Sequence, residues 1–97
     1  MAKLNLRQSA LNDLTGIWEY TFDRWSRDQA NKYYETLRHA CLKIAQNPEI
    51  GKEYHSIKAG LKGYRINKHI IFYQEGSSKS IDILRILHER MDLKRHL

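Results

Sequence analysis

The hydrophobic period of the chain changes around Pro48, its only proline. Before it, apolar residues recur every three or four positions; from Gly51 onward they alternate or form short runs between turn residues. A period near 3.6 lines up one stripe of a helix, whereas a period of two lines up one face of a strand. The two halves therefore cannot exchange roles. The first half must supply helices and the second a sheet for them to cover.

Lys3-Leu4-Asn5-Leu6-Arg7 alternates and predicts a short strand ahead of the helices. Ser9 is placed to cap a first helix whose stripe is Leu11, Leu14, Ile17, Trp18, Phe22 and Trp25. Gly16 inside it costs roughly 1 kcal/mol relative to alanine, which predicts a close neighbour at that position. Ser26 followed by Gln29 is a capping-box pattern. It opens a second helix carrying Ala30, Tyr33, Leu37, Cys41 and Ile44, which should stop near Asn47 because Pro48 disfavours helical geometry in the residue before it. The two helices form an antiparallel hairpin.

In the second half, Gly60 and Gly63 are expected to flank a turn. Tyr64 and Ile66 then alternate with Arg65 and Asn67, and a tight connection near Lys68-His69 leads to a strand from Ile70 to Gln74. Gly76 to Lys79 is a second turn. The last strand, Ser80 to His88, carries Ile81, Ile83 and Leu87 on one face and Leu84 and Ile86 on the other, which predicts a central place in its sheet. The expectation is one α+β domain over residues 1–97: an N-terminal strand, then an antiparallel helix hairpin packed on a curved antiparallel β-sheet.

Seventeen Lys and Arg against eleven Asp and Glu give a net charge of +6, so an acidic partner, protein or nucleic acid, is expected. A 97-residue chain buries a modest core, and a partner covering part of it adds to its stability. Cys41 is the only cysteine, which excludes an intramolecular disulfide and signals no cysteine-based metal site. Met1 to Arg7 alternates instead of forming the apolar stretch of a signal peptide, and no run approaches a membrane span. A cytoplasmic protein with no membrane partner is expected.

Arg85 is the most informative single position. It lies mid-strand and alternates with Leu84 and Ile86, so it is expected on the open face of the sheet as a preorganised binder of anions or carboxylates. The plainer reading is an ion pair with Glu75 or Asp82. Arg65 is expected to join it on that face. The histidines lack helical metal spacing, although His88, beside Glu89 and Arg90, has acid–base chemistry available. No Gly-rich phosphate loop, nucleophile elbow or catalytic triad is present, so no cofactor, metal or catalytic residue is assigned. Ile83 and Leu87, if exposed on the open face, require a cover: a second copy, or an acidic amphipathic segment that folds on binding.

Several short patterns occur together in a set order. They are Ser9-Ala10 with Asp13-Leu14, Ile17 and Tyr20; Ala30 and Tyr33; and Asn47-Pro48 with Gly51. Gly63-Tyr64-Arg65, Ile71-Phe72-Tyr73 and Ile83-Leu84-Arg85-Ile86-Leu87-His88, then Arg90 and Asp92, complete the set. In this order and spacing the chain resembles the RelE/ParE toxin family, in its ParE branch, over nearly its whole length. The resemblance implies a toxin of a type II toxin–antitoxin module that inhibits DNA gyrase and is held by a ParD-like antitoxin in a hetero-oligomer. RelE-type relatives instead cut messenger RNA on the ribosome, often with a tyrosine near the C-terminus. Lys94 falls at that tyrosine's place, and no tyrosine follows Tyr73, so the reading is of a binder and not an enzyme. The ribosome-dependent endoribonuclease remains the alternative, and a non-toxic binding domain the next. Target contacts are expected from Arg65, Arg85, His88, Arg90, Lys94 and Arg95. Antitoxin contacts are expected from Leu14, Trp18, Ile83 and Leu87.

Overall fold

A helix hairpin covers one face of a five-stranded sheet in the computed structural model, which describes residues 2–97. Met1, the first residue of the alternating segment, lies outside them. The elements run β1 (Leu4–Leu6), α1 (Gln8–Arg24), α2 (Arg27–Gln46), β2 (Lys52–Glu53), β3 (Lys62–Ile66), β4 (His69–Glu75), β5 (Ile81–His88) and α3 (Leu93–His96). The sheet order is β1-β5-β4-β3-β2. β2 to β5 pair antiparallel, but β1 joins β5 in parallel, with Leu4 opposite Ile81 and Leu6 opposite Ile83. A parallel pair needs a crossover, and everything between the two strands provides it. β5 is interior, as its two apolar faces require.

Only Arg7 separates β1 from α1, so Arg7 occupies the cap position and gives no side-chain hydrogen bond. Ser9 is therefore not the cap: it sits in the first turn, and its hydroxyl donates across to Leu84 O at 2.8 Å. Ala10 and Leu14 are buried and Ile17 partly so, whereas Leu11, Phe22 and Trp25 stay exposed. The capping box of α2 forms, with Gln29 N–H donating to Ser26 Oγ at 3.1 Å. Asn47 ends the helix ahead of Pro48. Ala30, Leu37, Ala40, Cys41, Ile44 and Ala45 bury its inner face. Burial pushes the Cys41 thiol up to about 11, so it packs as a small apolar group.

β4 is buried on both faces. On one, Ile71 and Tyr73 join the core beneath the helices; on the other, Ile70 and Phe72 join a second cluster with Leu61, Leu84 and Leu87. The Tyr73 hydroxyl accepts from Gly51 N at 2.9 Å and donates to Pro48 O at 2.7 Å, tying the turn after α2 to the sheet. Removing that hydroxyl leaves both backbone groups short of a partner. Tyr73→Phe is expected to destabilise by about 1–3 kcal/mol in urea unfolding, and an unchanged midpoint would refute the tie.

The alternation expected for β5 does not persist along the strand. Phe72 faces Arg85 and Tyr73 faces Ile83, which leaves Leu84 unmatched in a bulge. An extra residue shifts every later side chain to the opposite face. Ile81, Ile83 and Ile86 therefore face the helices, and Leu84 and Leu87 the second cluster. The expected open apolar face is not open either. Tyr54, Ile57, Leu93 and Leu97 pack against the second cluster. Ile83 is 0% and Leu87 1% exposed. Gly60, at a φ of +80°, is the turn glycine. Gly63 is a strand residue opposite Phe72, where a Cβ would lie 2.7 Å from the Tyr54 ring. The tight connection falls one residue earlier than expected, with Asn67 at a φ of 55°, a conformation asparagine tolerates.

Candidate functional site

β1 is three residues long and stops opposite Ile83, so from Leu84 onward that edge of β5 has no strand beside it among the described residues. Helix α1 takes over that edge with side chains. Ser9 accepts no backbone donor there but donates to Leu84 O, and Asp13, one turn later, accepts from Ile86 N–H at 2.9 Å. Asp13 also holds Arg85 with two oxygens, Nε at 2.8 Å and Nη2 at 2.9 Å, while Nη1 donates to His96 O at 3.2 Å. The paired carboxylate raises the Arg85 pKa above its ordinary value. Arg85 is thus a brace joining α1, β5 and the C-terminal segment. Its partner is neither Glu75 nor Asp82, and it does not stand free on an open face.

The other basic positions divide into held and free. Arg65 pairs with Glu89, so it does not meet Arg85; each arginine has its own carboxylate. Arg90, Lys94 and Arg95 are exposed. Asp92 accepts from Lys94 N–H at 3.2 Å and starts α3, and Leu93 and Leu97 anchor that segment on the second cluster. The basic C-terminal run is therefore fixed in place with its charges outward. Leu14 is core, 6% exposed. Trp18 is half-buried: its Nε1 donates to Asn31 Oδ1 at 3.0 Å, and its ring stacks on Phe22 with centroids 5.3 Å apart.

Beyond Asp13 the helix leaves the sheet edge and opens a groove of about 870 Å³. Its walls are α1, the start of α2, the β3–β4 turn and the end of β5. Ile17, Tyr20, Trp25, Ile86 and Met91 make most of it apolar. Gly16 lies on this wall with nothing within 4 Å of where a Cβ would stand, so the expected close neighbour is absent. Trp25, at the hairpin tip, is 76% exposed. The periodicity does not reveal this groove, because it assigns Trp25 to the core stripe and leaves Tyr20 outside that stripe.

One end of the groove is polar. Tyr33 and His69 share a 2.6 Å hydrogen bond between the phenol oxygen and Nδ1. The His69 and His88 rings meet edge to face, centroids 5.4 Å apart, and Arg90 N–H donates to His88 Nδ1 at 3.2 Å. Burial, and then the neighbouring His88, hold His69 below the ordinary imidazole range, while burial raises Tyr33. Lys68 lies on the same rim. Of these groups only His88 stood out in the sequence. His69 and Tyr33 are distant from it there, and pairing of β4 with β5 brings His69 directly opposite His88. Among the described residues no cluster of three or more metal-ligating side chains forms, and no helix is long and apolar enough to cross a membrane.

A family model described as the ParE toxin of the type II toxin–antitoxin system parDE matches residues 4–93. Toxin ParE1 of Mycobacterium tuberculosis is 39% identical over 92 residues, spanning 95% of this chain and 94% of that protein. Toxin ParE1 of Caulobacter vibrioides is 32% identical over 97 residues, spanning 100% of this chain and 99% of that protein. A solved structure described as a chromosomal ParDE TA system from P. aeruginosa superposes with a TM-score of 0.78 at 20% identity, covering 91% of this chain and 96% of that one. This last likeness concerns the fold alone.

Proposed function

Because the chain belongs to the ParE toxin family of type II toxin–antitoxin systems, we propose that it stops growth by inhibiting DNA gyrase in the cytoplasm. A ParD-like antitoxin neutralises it by laying an amphipathic segment along the α1 groove, giving a toxin–antitoxin hetero-oligomer. The observation that carries this reading is the groove itself: preformed, mostly apolar, and rimmed by Lys68 in a chain of net charge +6. Such a surface fits an acidic helix with apolar residues at one-turn intervals. Residues 1–97 act as one unit in this reading, since β1 and β5 are sheet neighbours drawn from the two ends of the chain.

Ile17, Tyr20 and Trp25 replace Ile83 and Leu87 as antitoxin contacts, because the latter two are already buried by the chain's own segments. Trp18 and Leu14 border a separate, smaller depression with Asn31 and Tyr34. For the target, the exposed run of Arg90, Lys94 and Arg95 offers charge to an acidic protein surface or to DNA phosphates held by gyrase. Arg65 and His88 border it, and Arg85 serves by positioning. Under this assignment the protein binds and the chemistry belongs to its target.

Purified chain is expected to abolish supercoiling by gyrase and to accumulate cleaved DNA, while leaving ribosome-programmed mRNA intact. Cut mRNA with untouched gyrase would instead establish the endoribonuclease, and growth unaffected by expression alone would leave a non-toxic binding domain. Arg90→Ala with Lys94→Ala is expected to cut gyrase inhibition at least tenfold with an unchanged melting temperature, since both side chains are exposed. Full inhibition by that double variant would remove the C-terminal run from the target surface.

A further inference from the structure

We infer that the polar end of the α1 groove is a receptor for one carboxylate side chain of the docked segment, gripped by His69 and His88, and that gripping it takes up a proton. This rests on the groove reading above and goes one step further, to a chemical feature of the partner and a dependence on pH.

The hydrogen bonds already made decide what the two rings can offer. Arg90 N–H donates to His88 Nδ1, so that nitrogen carries a lone pair and the proton of the neutral ring sits on Nε2. Tyr33 lies 2.6 Å from His69 Nδ1, and its raised pKa keeps the phenol protonated. With the phenol as the donor to Nδ1, the proton of neutral His69 sits on Nε2 as well. Both rings thus hold an Nε2–H donor that has no internal partner among the described residues. Two such donors on rings 5.4 Å apart, with the Lys68 ammonium on the same rim, suit an acceptor that carries negative charge.

The chain's own carboxylates do not fill this role. Asp13 and Glu89 are the two acidic groups that His69 senses, from α1 and from the segment after β5. Asp13 is committed to Arg85 and Glu89 to Arg65. The remaining groups facing His69 are Tyr33 from α2, Lys68 from the turn and His88 from β5. None of these three supplies an anion, and Asp13, which also lines the groove, is held by Arg85, so among the described residues no free carboxylate occupies this end.

Of the two rings, His69 is the one that can accept the extra proton without losing a contact. A proton on its Nδ1 reverses the bond to Tyr33, whose oxygen then accepts in place of donating. A proton on His88 Nδ1 would point at the Arg90 N–H. In the free chain, burial and His88 hold His69 below the ordinary imidazole range and therefore neutral near pH 7. A carboxylate placed against it favours the charged ring and raises its pKa. A group whose pKa rises on binding strengthens that binding as pH falls through the raised value. Affinity should climb as pH falls through that raised value and decline only where the partner's own carboxylates protonate, at pH ~4.3.

The test is nitrogen-15 NMR of the chain's imidazoles and backbone amides across pH, alone and with the antitoxin co-expressed from the native locus. The expected result has three parts. The Gly16 and Thr21 amides shift on binding; the His69 pKa rises in the complex; and affinity is about tenfold tighter at pH 6 than at pH 7.5. His69→Gln should bind with the dependence on pH flattened. If the groove amides shift while the His69 pKa stays or falls, the segment docks without a carboxylate there, and this inference is wrong while the groove reading stands. If the groove amides do not move, the groove reading fails and takes this inference with it.

Discussion

Asp13→Ala is expected to lower the melting temperature by more than ~10 °C, the largest effect on stability of any single polar substitution proposed for this chain. Asp13 does three things with one carboxylate: two oxygens clamp Arg85, and one of them also accepts from Ile86 N–H. The side chain is only 14% exposed, and that of Arg85 24%. Alanine would leave a guanidinium and a strand N–H without their acceptor at the junction of α1 and β5. Removing one partner of a largely buried pair costs about 3–5 kcal/mol. Some of this is recovered here, because Arg85 keeps His96 O and has partial access to water, so about 3 kcal/mol is the expectation. In a chain of this size each kcal/mol moves the midpoint by roughly 4–8 °C. Asp13→Asn keeps an acceptor for Ile86 and should cost about half as much. A double-mutant cycle with Arg85→Ala should show a coupling of about 1–3 kcal/mol. An Asp13→Ala protein melting within ~3 °C of the parent would mean that α1 is held to β5 by apolar contacts alone.

The same residue marks where the sequence was legible and where it was not. Periodicity placed α1, α2, β3, β4 and β5 because each buries a face whose spacing is set by local geometry alone. The cap of α2 was equally local, Ser26 bonding three residues ahead to Gln29. For Ser9 the local signal points to a helix cap it does not make, and Asp13 carries no local signal at all. Both belong to the patterns on which the family resemblance rests, yet their role depends on β1 ending at Leu6 and exposing the edge of β5 to the helix. The faces of β5 were misread for a related reason. The bulge at Leu84 is a property of how β5 pairs with β4, so alternation within β5 could not announce it. Alternation alone puts Arg85 on an open face that the bulge and the flanking segments remove. The cover over Leu84 and Leu87 comes from Tyr54, Ile57, Leu93 and Leu97, which are remote or irregular in sequence. The groove was hidden for the opposite reason, since it consists of space. The cost of glycine in a helix points to a close contact at Gly16, whereas here it widens a wall.

That width gives the second large prediction. Gly16→Trp is expected to weaken antitoxin binding by about 100-fold or more while leaving the fold and the toxic activity intact. A Cβ at this position meets no other part of the chain within 4 Å, and the residue is exposed, so a larger side chain has open space to enter. Gly16→Ala provides the control: it should raise stability by roughly 1 kcal/mol through helix propensity and barely alter binding. Tryptophan differs from alanine only in what it places in the groove. It would lie against Ile17 and Tyr20 and occupy the space an incoming apolar anchor needs. Denying burial to one such anchor forfeits about 1.5–3 kcal/mol, and ordering a flexible segment that no longer seats adds to the loss. At ~1.4 kcal/mol per decade this reaches the stated factor. In cells the consequence is sharper than in the calorimeter. Co-expression of the antitoxin should rescue growth with Gly16→Ala and fail to rescue it with Gly16→Trp. Titration calorimetry of purified partners should show the matching loss of affinity at an unchanged melting temperature. If Gly16→Trp bound its antitoxin as tightly as the parent chain, the α1 groove would not be where neutralisation occurs. The depression beside Trp18 and Tyr34 would then be the next surface to block.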